Sequence, residues 1–271
     1  MSDLSARRIV VAVDGSGPAF AALREAAALA ARLRAELDAV FVEDERWARV
    51  AALPVARVVA VRGAQAPSAE EMDRERRALA RRVERHVREA AEARRARWAF
   101  RVARGDVARE LLAAGEGADL FVLGRRGRNA EGALGTTAAR VALELALPVV
   151  LLGERETLGA PVLALEEDVP YERAVDAAAY IAGRDGAVVE LVAIAEAKDV
   201  RARLIHEAAA ALRARGVRVL AGEATSLRAL LAALARRGGK PTLVVAPGGA
   251  IRGPEELARF AASAPGPVVV A

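Results

Sequence analysis

No cysteine occurs in the chain, which removes disulfides, thiolate metal sites, iron–sulfur clusters and thiol nucleophiles at once. Histidine is nearly as scarce. His86 and His206 stand on separate helical stretches, neither beside a carboxylate cluster at ligand spacing, so no metal site is expected. Aromatic residues make up 3% of the chain against 54% hydrophobic residues, so the cores must be built from Val, Leu and Ala. That composition suits buried parallel strands with helices packed on them. No apolar run approaches the roughly 18 residues that cross a bilayer. The opening MSDLSARR leads into a short strand-like run rather than a signal sequence. The expectation is a cytoplasmic protein that makes no use of a membrane.

Lysine is rare too: Lys198 and Lys240 are the only two among 41 basic residues, and the rest are Arg. Arginine keeps its charge at any accessible pH and lifts the pI to about 10.4, although the formal net charge is only +5. Opposite signs interleave, as in DRERRALARRVERHVREAAEARRAR, which is the pattern of a solvated helix face. The stacking aromatics of RNA-binding surfaces are missing, so nucleic acid is not the expected partner.

The 271 residues suit two domains, and the order of elements repeats accordingly. In the first half, β-branched runs at 8–13, 37–42, 98–103, 118–124 and 148–152 predict five strands, separated by stretches of helical periodicity. A polar, proline-containing stretch at 43–68 holds Trp47 and Pro54, which either cover a ligand or pin the stretch in place. After Gly153 the order begins again. VAVDGSGPAFAALREAAALA lies without a gap on LALEEDVPYERAVDAAAYIA, and ADLFVLG and PVVLL find counterparts in PTLVVAP and PVVVA. The linker GERETLGA sets the boundary, giving domains at 1–154 and 155–271. The expected fold class is α/β: two tandem open parallel-sheet, Rossmann-like domains of five strands and about four helices each. The terminal strands 148–152 and 267–270 are expected to pair, since each would otherwise leave an apolar edge unpaired.

Open parallel sheets bind ligands at the carboxyl ends of their strands, beside the point where strand order reverses. Three segments of the first half end there: Asp14 after the first strand, Val42 at the end of the second, and GRRGRNAEGALGTT after the fourth. Glycines let backbone N–H groups approach an anion, and the following helix start adds unpaired donors and partial positive charge. Arg125, Arg126 and Arg128 can add charge-assisted contacts to a polyphosphate. Asp14 would suit a sugar hydroxyl or an adenine amino group, or it caps the first helix. The chain lacks a GxxxxGK[ST] P-loop and lacks GxGxxG after the first strand. In the second half, Glu166 stands where Asp14 does, and APGGAIRGPEELARF reproduces neither the glycine spacing nor the terminal Gly-Thr.

ADLFVLG, GRRG, GTTAARV and PVVLL, preceded by VAVDGS and RGDVARELL, resemble the ATP-binding branch of the universal stress protein family across the whole first half. The resemblance implies a fold like the adenine nucleotide alpha hydrolases. It places Ala12, Asp14 and Val42 around adenine and ribose, and Leu123, Gly124, Arg126, Gly127, Arg128, Gly135, Thr136 and Thr137 around ribose and phosphates. The chain departs from the family signature in one respect: seven residues, 128–134, separate Gly127 from Gly135 where the family has about nine. The implied ligand is ATP, or AMP or ADP, with Mg2+ held through the phosphates. The implied role is stress-response regulation with slow or no hydrolysis, since the chain supplies no positioned general base. The alternative is a ligand-free scaffold for an unidentified protein partner. Pairing of the two domains within the chain is implied, with a homodimer as a further assembly.

Overall fold

The computed structural model describes residues 6–44, 69–127, 134–183 and 188–271. The stretch holding Trp47 and Pro54 lies outside them. The ten strands among the described residues form a single sheet. In the first half they are β1 (Arg8–Ala12), β2 (Glu36–Asp44), β3 (Arg97–Gly105), β4 (Leu120–Gly124) and β5 (Val149–Leu152). In the second they are β6 (Pro161–Glu166), β7 (Val188–Ile194), β8 (Arg218–Ala224), β9 (Thr242–Val245) and β10 (Val268–Val270). The helices among the described residues are α1 (Gly17–Leu33), α2 (Ala69–Arg94), α3 (Val107–Gly115), α4 (Thr136–Glu144), α5 (Glu172–Ala182), α6 (Lys198–Ala214), α7 (Leu227–Arg237) and α8 (Pro254–Ser263). The strand order is β3-β2-β1-β4-β5-β10-β9-β6-β7-β8, so the second half repeats the order of the first in reverse. Every neighbouring pair is parallel except β5 and β10, which meet antiparallel through Leu151–Val268, Val150–Val269 and Val149–Val270. The two terminal strands expected to pair do so, and the halves share one sheet.

The inner strands are apolar at successive positions because both faces of the sheet are covered. Ile9 and Val11 face one core with α1, α2, α5 and α6; Val10 faces the other with α3, α4, α7 and α8. Alanine does much of the packing: α1 buries Ala19, Ala22, Ala26 and Ala30 against the sheet, which lets the helix sit close without aromatic bulk. Among the described residues, no strand pairs with the outer edges of β3 and β8. On β3, Arg97, Arg101 and Arg104 line the strand, with Arg104 Nε donating to Glu43 Oε2 at 2.8 Å, the kind of charged edge that discourages further pairing.

Two arginines of the first half brace the second, one on each face of the sheet. Arg32, in the last turn of α1, donates through Nη2 to the carbonyls of Ile181 (2.7 Å) and Tyr180 (3.3 Å) at the end of α5. Arg125 reaches the carbonyls of Ala261, in the last turn of α8, and Gly266. Helix C-termini present unpaired carbonyls and partial negative charge, so each contact satisfies acceptors and meets a favourable dipole.

Candidate functional site

The reversal in strand order falls between β1 and β4, and a cleft of about 1210 Å³ opens there at the strands' carboxyl ends. Ala12, Asp14, Val42, Leu123, Gly124, Arg126, Gly127, Gly135, Thr136 and Thr137 all line it. Arg128 lies outside the described residues. Residues more than a hundred positions apart meet because each follows a strand at the switch point.

Asp14 does not cap α1. Ser16 is the N-cap, its hydroxyl accepting from Ala19 N at 3.2 Å, while Asp14 Oδ1 accepts from Ser16 N at 2.9 Å and shapes the turn before the helix. A Cβ on Gly127 would lie 3.0 Å from Asp14 Oδ2, so the backbone after β4 runs directly against this carboxylate. Gly124 is needed for a different reason: a Cβ there would stand 2.9 Å from Pro18 C and Ala19 N, so its absence lets β4 and the first turn of α1 meet. At the other end of the loop, Gly135 is the N-cap of α4, with its N–H donating to Arg125 O at 2.7 Å. Among the described residues no side chain caps this helix, in contrast to Ser16 on α1 and Asp106 on α3. The first turn of α4, with Gly135, Thr136 and Thr137, lines the cleft, and its N-cap glycine has no side chain to occupy the helix's free backbone donors.

Arg125 corrects the sequence expectation. It adjoins Arg126 in the chain but leaves the cleft, and it is only 8% exposed against the second half. Burial lowers its pKa, opposed by Glu156, whose Oε1 lies 3.4 Å from Nη1. The cleft instead gains cations from the helix whose interleaved charges resemble a solvated face. Met72, Arg76, Leu79, Arg82 and Arg85 of α2 form one wall. Their three- and four-residue spacing was the visible signal, masked by the charge of the surrounding helix.

The corresponding place in the second half is filled by its own side chain. Glu166, at the end of β6, accepts from Ala250 N at 2.9 Å, and a Cβ on Gly249 would stand 2.6 Å from the carboxylate. Burial raises the Glu166 pKa, against the opposing effects of the Ala250 hydrogen bond and Arg252. The folded chain thus holds this proton to higher pH than the unfolded one. The contribution of Glu166 to stability is full below the ordinary Glu range and is lost as pH rises through the raised value. Glu166→Gln is therefore expected to melt above the wild type at pH 7, with the difference vanishing near about pH 4. Thermal melts at the two pH values check this; equal midpoints at pH 7 would contradict it.

An open sheet with its cleft at the strand-order reversal, closed by a glycine-flanked helix start, defines a Rossmann-like α/β protein. The model of the Universal stress protein family matches residues 5–153, more than half of the chain, and the chain belongs to that family. A universal stress protein from Archaeoglobus fulgidus DSM 4304 superposes with a TM-score of 0.72 at 18% identity, covering 98% of this chain and 96% of that one. A putative universal stress protein from Pseudomonas aeruginosa UCBPP-PA14 gives 0.56 at 17% identity, covering 100% and 94%. A functionally unknown protein from Pseudomonas aeruginosa PAO1 gives 0.56 at 16%, covering 99% and 93%. At such identities these structures establish the fold of the chain, including its second half, and nothing finer. No curated protein matches the sequence. Among the described residues, no helix is long and apolar enough to cross a membrane.

Proposed function

We propose that the chain is a nucleotide-responsive regulatory protein that binds one adenine nucleotide, ATP or its di- or monophosphate, in the cleft of its first domain. The observation that carries this reading is the convergence on one cleft of Asp14, Gly127 and the α4 start, whose N-cap is a glycine. Backbone donors of Thr136 and Thr137, with Arg126 beside them, would meet the phosphates. Ala12, Val42 and Leu123 supply an apolar floor for a base, and Asp14 accepts hydrogen bonds from a ribose or amino group. Among the described residues no group of three or more His, Asp or Glu side chains is placed to hold a metal, so Mg2+ would enter on the phosphate oxygens. On this reading the nucleotide is held with slow hydrolysis or none, as a regulatory ligand rather than a substrate turned over.

Domains at 1–154 and 155–271 fit this reading, the second keeping the fold while Glu166 occupies its anion position. Protein purified without denaturation is expected to release ATP, ADP or AMP on unfolding, close to one per chain by mass spectrometry. Protein that carries none and takes up none from millimolar ATP would favour a ligand-free scaffold instead.

A further inference from the structure

Arg125 occupies a junction that its neighbours do not. Its backbone N–H donates to Leu152 O at 2.8 Å and its carbonyl accepts from Gly135 N at 2.7 Å, so this one residue is tied to β5 and to the N-cap of α4. The next two residues, Arg126 and Gly127, face the cleft. The Arg125 side chain runs the other way. Its Nη1 donates to Ala261 O at 2.9 Å and Nη2 donates to Gly266 O, while Glu156 stands on the same guanidinium from the segment joining the halves. Ala261 and Gly266 belong to the end of α8 and the turn before β10, both in the second half.

The strut runs in one direction only. Laying ADLFVLG on PTLVVAP puts Gly248 at the position of Arg125, so the second half has no side chain to send back. Its cost is visible as well. Arg125 Nε is the only buried side-chain nitrogen or oxygen without a hydrogen-bond partner among the described residues. An apolar side chain would fill a buried interface without leaving a donor unmet. A charged, incompletely satisfied guanidinium at this junction is better explained by the fixed geometry it imposes than by stability.

We propose that Arg125 is a positioning residue, which holds the phosphate-binding backbone of the first half against the second half and thereby couples nucleotide binding to the contact between them. The inference rests on the nucleotide reading above. Its consequence is that a half without a working site of its own sets the affinity of the other, and that nucleotide in turn tightens the contact at Ala261 and Gly266, because coupling between two sites is reciprocal.

The test compares three proteins of full length. Arg125→Met keeps the aliphatic length and removes the donors. Arg32→Met cuts the brace on the opposite sheet face, to Ile181 and Tyr180, at a residue that is not part of the cleft lining. ATP affinity is measured by calorimetry below the melting transition, and hydrogen exchange of residues 255–271 is measured with and without ATP. The expected result is ATP binding weakened about tenfold in Arg125→Met and unchanged in Arg32→Met. ATP should slow exchange around residues 261–268 in the wild type and fail to do so in Arg125→Met. A folded Arg125→Met with wild-type affinity would overturn the proposal, as would equal weakening by both substitutions, which would make Arg125 an ordinary interface contact. If Arg125→Met does not fold, the wild-type exchange decides: ATP that binds without slowing exchange at 261–268 overturns the coupling. A wild type that binds no ATP overturns the nucleotide reading and the coupling with it.

Discussion

Gly127→Val is expected to weaken adenine-nucleotide binding strongly in a protein that still folds. Gly127 is not among the residues in the left-handed backbone region, so a side chain imposes no conformational strain there. What it removes is space. A Cβ would stand 3.0 Å from Asp14 Oδ2, and the two methyls of Val would fill the gap in which the backbone after β4 is to meet a phosphate. Close approach of backbone donors is the basis of the proposed site, so Gly127→Val is expected to weaken ATP at least about tenfold, or about 1.4 kcal/mol. Titration calorimetry with circular dichroism as a folding check makes the comparison. An unchanged dissociation constant in a folded Gly127→Val protein would remove the loop from the site.

Aspartate at position 269 should unfold the whole chain. Val269 is fully buried in β10, paired with Val150 of β5 on one side and Val244 of β9 on the other. The strand is only three residues long, and it joins the two halves of the sheet. A carboxylate there has neither water nor a cation and must remain charged at a large desolvation penalty or take up a proton. The expected destabilisation, about 4 kcal/mol or more, is comparable with the whole stability of a typical domain. Because the sheet is continuous, helical signal from both halves should disappear together. Urea unfolding followed by circular dichroism tests this. A Val269→Asp protein whose first half still unfolded cooperatively at the wild-type midpoint would show that the halves are independent units.

Much of this architecture was legible because the relevant signals are local. Runs such as IVVA and LFVLG carry no polar side chain, which marks strands covered on both faces, and they reappear in β1 and β4. Asp106 as the cap of α3 follows from its place before a helical pattern, and its side chain accepts from Arg109 N at 3.1 Å. The gathering of Asp14, Val42 and Gly124 was readable too, since all three stand at or just after strand ends and the topology of parallel sheets brings such ends together.

What stayed hidden depends on the direction of single side chains. Arg125 and Arg126 are neighbours with identical chemistry, yet one is buried against α8 and the other lines the cleft. No periodicity separates adjacent residues in a loop. The wall of the cleft formed by Met72, Leu79 and Arg82 was obscured because α2 is charged on most of its surface, and the side facing a ligand site carries arginine like the side facing water. Glu166 was recognisable as the counterpart of Asp14. That its carboxylate would turn onto Ala250 N required the fold of the loop after β9, which the sequence pattern does not determine.

Native mass spectrometry of the full chain in excess ATP tests the central claim most directly. A chain with an open cleft in its first half, and Glu166 seated against the loop backbone in its second, should bind one adenine nucleotide and no more. Two bound nucleotides per chain, or none, would contradict it.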